Sequence, residues 1–174
     1  DLLDIASAIE AVEATQRFLA REGAGAPRLA ARAANLGRHL DVAEAIGRSI
    51  DAEGQVRDSV SPVLAEARAE SRRLAGELQH RLDTSLHDPE IAPHLSDSFV
   101  TVRNDRYVLP VRADARSRVR GIVHDVSASG TTLFVEPQAV VDANNRLKEA
   151  ELRAAREVTR VLRELSGEVG REAP

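Results

Sequence analysis

Arginine residues are concentrated in one short stretch of the sequence, between Phe99 and His124. This stretch carries a local charge of +4 within a chain whose net charge is −4, so the remainder carries −8. Guanidinium groups bind phosphate oxygens through paired hydrogen bonds and displace counterions from nucleic acid. We therefore expect the stretch to contact nucleic acid, and the candidate contacts are Arg103, Arg106, Arg112, Arg116, Arg118, Arg120 and His124.

The spacing of these residues predicts a basic face on a β-hairpin, because alternate residues of a strand point to the same side. If a loop near Ala115 joins two antiparallel strands, one face carries the principal candidates Arg106, Arg112, Arg118 and Arg120. The opposite face would then pack inward through Tyr107, Leu109, Val111, Val119 and Val123. Two other interpretations stay open: a solvated edge strand whose charges deter aggregation, or ion pairs to a partner subunit.

The sequence predicts no catalytic or metal site in this chain. His124 and Asp125 are adjacent strand residues that face opposite ways, so they do not form an acid–base pair. The histidines are scattered without matching carboxylates, and cysteine is absent. The SASGTT run at 127–132 contains one glycine and no lysine, which predicts a tight turn rather than a phosphate-binding loop.

Hydrophobic periodicity predicts a mainly α-helical chain with a small antiparallel β insertion. Three helices are expected within a helical core segment at 1–60: Leu2 to Arg21, ended by Gly23, Gly25 and Pro27; Pro27 to Leu36, capped by Gly37; and Asp41 to Ser49. An ascending lever helix, with Ser61 as its N-cap, occupies 61–97, and a descending one occupies 137–174. We expect the two to form an antiparallel coiled-coil arm, because the chain must leave and return at the same place.

The β insertion, at 98–136, would form a clamp-like tip on this arm. Its predicted strands are SFVTVR, RYVLPVR, VRGIVHDV and TTLFVE. Asn104 and Asp105 supply a turn signal between the first two strands. Pro110 cannot donate a ladder hydrogen bond, so its strand is expected at an edge or with a bulge.

Composition sets further expectations. Cysteine and methionine are both absent, and we expect the chain to be cut from a longer protein. It shows neither a signal-peptide pattern nor an apolar run of membrane-spanning length, so we expect no membrane partner and a cytoplasmic location.

The string RNDRYVLPVRADARSRVRGIVHDVSASGTTLFVEPQAVVDANNRLKEAE, from Arg103 to Glu151, resembles the middle region of the second bacterial MutS-like family, the MutS-two proteins. The segment IDAEGQVRDSVSP, from Ile50 to Pro62, resembles that family's approach to its long core helix. The resemblance implies a helical core and levers leading to a clamp, followed by a dimerising ATPase that uses ATP and Mg²⁺ and by a C-terminal nuclease. This chain has neither a GxxxxGK[ST] motif nor the nuclease segment, so hydrolysis is not assigned to it.

Together these observations predict the core, lever and clamp part of a MutS-like ATPase and endonuclease. Through the resemblance, the parent protein is expected to bind branched or mismatched DNA, to suppress homologous recombination and to form a homodimer. Two alternatives stay open. The arm could be a coiled-coil dimerisation element, or the basic tip could bind ribosomal RNA in the splitting of stalled ribosomes.

Overall fold

The computed structural model describes residues 1–22 and 25–172, so the predicted helix end at Gly23 lies outside the described residues. The chain divides into two compact units. The first comprises 1–65 and 155–174, and the second comprises 66–154. No helix among the described residues has the length and apolar character needed to span a bilayer.

The first unit contains helices α1 (Leu2–Glu22), α2 (Pro27–Ala34) and α3 (Leu40–Ser49). Gln16 of α1 is buried, and its Nε2 donates to the carbonyl oxygens of Ala33 at 2.8 Å and Leu36 at 2.9 Å. The predicted cap at Gly37 is therefore wrong: α2 ends at Ala34, and carbonyls at its end are satisfied by a side chain from α1. The core of this unit centres on Ile46, which is fully buried.

Helix α4 (Pro62–Leu86) begins as the sequence predicts. Ser61 Oγ accepts the backbone N–H of Leu64 at 3.3 Å and donates to Glu157 Oε1 at 2.5 Å. Ser61 is 3% exposed, so this hydroxyl satisfies a helix-end donor that water does not reach. The N-cap prediction is confirmed.

The second unit contains strands β1 (Thr101–Arg103), β2 (Arg106–Arg112), β3 (Gly121–Val126) and β4 (Thr132–Pro137). A 3₁₀ segment, Ala113–Arg118, joins β2 to β3, and helix α5 (Val141–Glu172) follows β4 after a 3₁₀ turn. One core cluster combines side chains of α4, α5 and the sheet: Leu74, Leu78, Leu82, Leu86, Leu109, Val111, Val119, Val135, Val140, Ala143 and Leu147. Within this unit, Glu70 of α4 pairs with Arg153 and Arg146 of α5, so the two helices lie side by side there.

The strands form one antiparallel sheet in the order β1-β2-β4-β3. The mainly helical class with a small antiparallel sheet is therefore confirmed. The predicted hairpin between β2 and β3 is wrong, because β4 lies between them and pairs with both. The Ala113–Arg118 segment carries the chain from one end of β4 to the other, and this crossing lets the third strand reach the far edge.

Pro110 does not lie on an edge strand of this sheet, since β2 pairs with β1 on one side and β4 on the other. However, β1 covers β2 only as far as Val108. Beyond that point the Pro110 carbonyl accepts the N–H of Ser96 at 2.9 Å. The missing N–H of proline is tolerated because no strand requires it there.

Candidate nucleic-acid interface

The face of the sheet that carries Arg106 is curled inward. Although β1 and β3 are the outer strands, Arg103 Nε lies 3.4 Å from Asp125 Oδ2, and Asn104 Nδ2 donates to the His124 carbonyl oxygen at 2.8 Å. These contacts draw the ends of the two outer strands toward each other. Val108 and Phe134, at 0% and 9% exposed, lie inside the resulting concave face.

Glu136 of β4 lies among the polar and charged side chains of this inner face. Only 1% of the surface of Glu136 is exposed. His124 Nε2 lies 2.6 Å from Glu136 Oε2, and Arg106 Nη1 lies 3.5 Å from Oε1. Arg106 Nη1 also donates to Asn145 Oδ1 at 2.7 Å. A buried carboxyl group is costly unless its oxygens have partners, and here Arg106 contacts one oxygen and His124 the other.

Arg103 and Arg112 also have intramolecular partners. The Arg103 guanidinium lies 4.2 Å above the ring of Phe134 and pairs with Asp125, so both its charge and its flat face are engaged. Arg112 donates to the two carboxylate oxygens of Asp114 at 3.1 and 3.4 Å. That second pair is exposed, at 49% and 75% of its side chains, so its contribution to stability is small.

Arg116 fixes the backbone that presents the last two arginines. Its Nη1 donates to the carbonyl oxygen of Val119 at 2.9 Å, and its Nη2 donates to that of Gly121 at 2.8 Å. No carboxylate among the described residues neutralises it. Arg118 and Arg120 are exposed, and within the described part of the chain neither side chain makes an ion pair or a hydrogen bond. Among the seven candidate residues, the available positive charge is therefore concentrated at 116–120.

Helix α5 holds β2 through polar side chains that the sequence analysis did not single out. Asn144, 1% exposed, accepts the N–H of Tyr107 at 3.0 Å and donates to the carbonyl oxygen of the same residue at 3.1 Å. One turn further on, Lys148 Nζ lies 2.7 Å from Asp105 Oδ2. This contact lowers the pKa of Asp105 and raises that of Lys148. The Asn-Asn pair at 144–145 in an otherwise charged helix was the available signal, since buried amides need partners.

The residues that resemble a catalytic set have separate partners. His124 contacts Glu136, Asp125 pairs with Arg103, and Ser127 Oγ accepts the N–H of Thr132 at 3.0 Å. Among residues 1–22 and 25–172, no group of three or more His, Cys, Asp or Glu side chains is arranged to hold a metal ion.

The sequence of this chain matches one region of longer proteins named endonuclease MutS2. The chain is 42% identical over 176 residues to the endonuclease MutS2 of Geobacillus sp. (strain WCH70), a match covering 99% of this chain and 22% of that protein. It is 43% identical over 173 residues to the endonuclease MutS2 of Symbiobacterium thermophilum, with the same shares covered. A putative endonuclease MutS2 of Bacillus subtilis (strain 168) is 38% identical over 169 residues, covering 95% of this chain and 22% of the relative.

The chain therefore corresponds to one region of proteins named endonuclease MutS2, and the resemblance given by the 103–151 string is confirmed. It spans about one fifth, 22%, of the length of these relatives. No protein-family model matches the chain.

Proposed function

We propose that this region binds nucleic acid for a MutS2-family protein, with duplex or branched DNA as the ligand. The observation that supports this most strongly is the exposed pair Arg118 and Arg120, which lack partners among the described residues. Guanidinium groups in this state are available for phosphate oxygens without first breaking an internal ion pair. The relatives' name, endonuclease MutS2, fits a nucleic-acid ligand.

The other candidate residues support this surface in different ways. Arg116 positions the loop through two carbonyls and adds charge beside the exposed pair. Arg106 and His124 hold Glu136, and Arg103 holds Asp125, so these three shape the module. We therefore propose Arg118 and Arg120 as the principal phosphate contacts.

For the whole protein we propose the activity of a MutS-like ATPase and endonuclease that binds branched or mismatched DNA and suppresses homologous recombination in the cytoplasm. ATP and Mg²⁺ would act in a part of the protein outside this chain. No residue described here is assigned to hold them. The long helices α4 and α5 would form the coiled-coil levers of a clamp.

The Arg118→Ala/Arg120→Ala double variant tests the proposal, with affinity for a labelled DNA duplex measured by fluorescence anisotropy. Each lost charged hydrogen bond costs about 1.5 kcal/mol or more, so losing two phosphate contacts is expected to weaken binding by more than about a hundredfold. The matched control is Arg28→Ala/Arg32→Ala, which removes the same charge from exposed positions of α2. Equal affinities for the two double variants, with both folded by circular dichroism, would contradict the proposal.

Ribosomal RNA is the second candidate ligand, since the same arginines would bind its phosphates. Competition among duplex DNA, branched DNA and a ribosomal RNA fragment at one salt concentration ranks the ligands. Tighter binding of the RNA fragment than of either DNA would support ribosomal RNA as the ligand.

A dimerisation role for the helices is a separate alternative. Sedimentation of the 174-residue chain tests it. A tight dimer with no affinity for any of the three nucleic acids would support this role in place of binding.

A further inference from the structure

A cleft of about 490 Å³ lies at the end of the sheet where β2 ends and β4 begins. Its walls include Ser96, Arg112, Thr131 and Thr132, with Gly130 at the turn between β3 and β4. Arg112 and Thr132 are direct partners in the sheet. The cleft thus brings together one guanidinium and three hydroxyl groups, all of which can donate to phosphate oxygens.

The hydroxyl groups of the cleft contact other hydroxyl groups, and Ser96 Oγ also donates to the Pro110 carbonyl oxygen at 3.4 Å. Thr132 Oγ1 donates to Ser96 Oγ at 3.1 Å, and Thr131 Oγ1 lies 2.7 Å from Ser129 Oγ. Hydroxyl hydrogens rotate, so these groups can turn toward an incoming acceptor. A Cβ at Gly130 would meet nothing within 4 Å, which shows that the turn leaves space beside them.

Arg112 is available to a ligand because its partner is exposed. An ion pair whose side chains are 49% and 75% exposed is weakened by solvent, so a phosphate can compete with Asp114 for the guanidinium. Asp114 also lines the cleft, and its carboxylate repels an anion there. Replacing Asp114 with a neutral residue should therefore strengthen anion binding. A substitution that only damages a binding site would instead weaken it.

The cleft and the exposed arginine pair lie toward opposite ends of β4. Arg112 is opposite Thr132, whereas Gly121, directly after Arg120, is opposite Pro137. Five residue steps at about 3.4 Å separate these backbone positions by about 17 Å. Phosphates of one strand of a duplex advance about 3.4 Å per nucleotide along the axis, so the span corresponds to about five nucleotides.

We propose that this cleft is a second phosphate subsite, so that the β module binds one phosphodiester backbone at two points separated by the length of β4. The inference rests on the proposed function, because it requires that Arg118 and Arg120 hold the same nucleic acid. It assigns Arg112, already a candidate contact from the sequence, to a site that it shares with the hydroxyl groups of Ser96, Thr131 and Thr132. It also adds a minimum length for the ligand.

The experiment compares Arg112→Ala and Asp114→Asn with the unaltered chain, using a labelled DNA duplex of about 20 base pairs and a hairpin whose duplex stem of about 4 base pairs is too short to span both points. Arg112→Ala should weaken binding of the long duplex about tenfold and change that of the short one by less than about twofold. Asp114→Asn should strengthen binding of the long duplex several-fold. Glu151→Gln, which removes one exposed negative charge from α5, is the matched control.

An Asp114→Asn affinity equal to that of Glu151→Gln would overturn the subsite, as would equal losses for both duplexes in Arg112→Ala. In either case, the proposed function would be retained if Arg118→Ala/Arg120→Ala still weakens binding of the long duplex by the expected factor. If that double variant also binds as tightly as the unaltered chain, both proposals fail. Misfolding does not imitate the expected result, because Asp114→Asn is expected to gain affinity.

Discussion

Replacing Asn144 with alanine should destabilise the β module, because this side chain satisfies two backbone groups of Tyr107 at once. The change leaves an N–H and a C=O without partners beside a side chain that is 1% exposed. Each unpaired group costs about 1–2 kcal/mol where water reaches it in part. Alanine is a better helix former by about 0.6 kcal/mol, so the net loss of unfolding free energy should be about 1.5–3.5 kcal/mol.

The unfolding of β2 itself can be followed through the fluorescence of Tyr107. It is the only tyrosine of the chain, and tryptophan is absent, so intrinsic fluorescence during urea unfolding reports on β2 alone. Asn145→Ala is the matched control, since it removes the neighbouring exposed amide and one hydrogen bond to Arg106, at a cost below about 1 kcal/mol. Equal urea midpoints for the two variants, with equal slopes, would contradict the role of Asn144 in holding the backbone of β2.

Further predictions concern backbone packing, the helix cap and acid stability. Gly121→Ala should prevent normal pairing of β3 with β4, because the added Cβ would overlap the backbone carbonyl of Glu136; unchanged amide-exchange protection in both strands would contradict this. Ser61→Ala should lower the free energy of unfolding by about 1–2 kcal/mol through loss of the N-cap, measured by urea unfolding followed by circular dichroism, and a loss below about 0.3 kcal/mol would count against the cap. Hydrogen bonds from Arg160 and then Ser61 lower the pKa of Glu157 to about 2. Its ionised form therefore stabilises the fold above about pH 4.5, and this contribution is lost as the pH falls toward 2. Glu157→Gln should flatten the acid unfolding curve in that window, and an unchanged curve would contradict the assignment.

Local signals in the sequence predicted the elements well. Ser61 before Pro62 marked the start of α4, and β2 has the predicted bounds. Asn104 and Asp105 have φ values of 51° and 59°, the left-handed pair that a two-residue hairpin turn requires. Such features depend on neighbouring residues, so the sequence contains the information directly.

Strand pairing was not predictable in the same way. Alternation placed Arg106 on the correct side of β2 but could not show that β4, rather than β3, pairs with it. The choice depends on the path of 113–118, which carries the chain from one end of β4 to the other. Because that path was unknown, the sequence could not show that the Arg106 face of the sheet is concave, or that Glu136 contacts Arg106 and His124 there.

The proposed phosphate contacts of Arg118 and Arg120 are tested most directly by the salt dependence of DNA binding. It is measured for the unaltered chain and for the Arg118→Ala/Arg120→Ala variant. For contacts to phosphates, the logarithm of the binding constant falls linearly with the logarithm of salt concentration, by about 0.9 per phosphate neutralised. We predict that the double variant has a slope smaller by about two and weaker binding of every duplex sequence tested. Identical slopes for the two proteins would contradict the claim that these exposed arginines hold the nucleic acid.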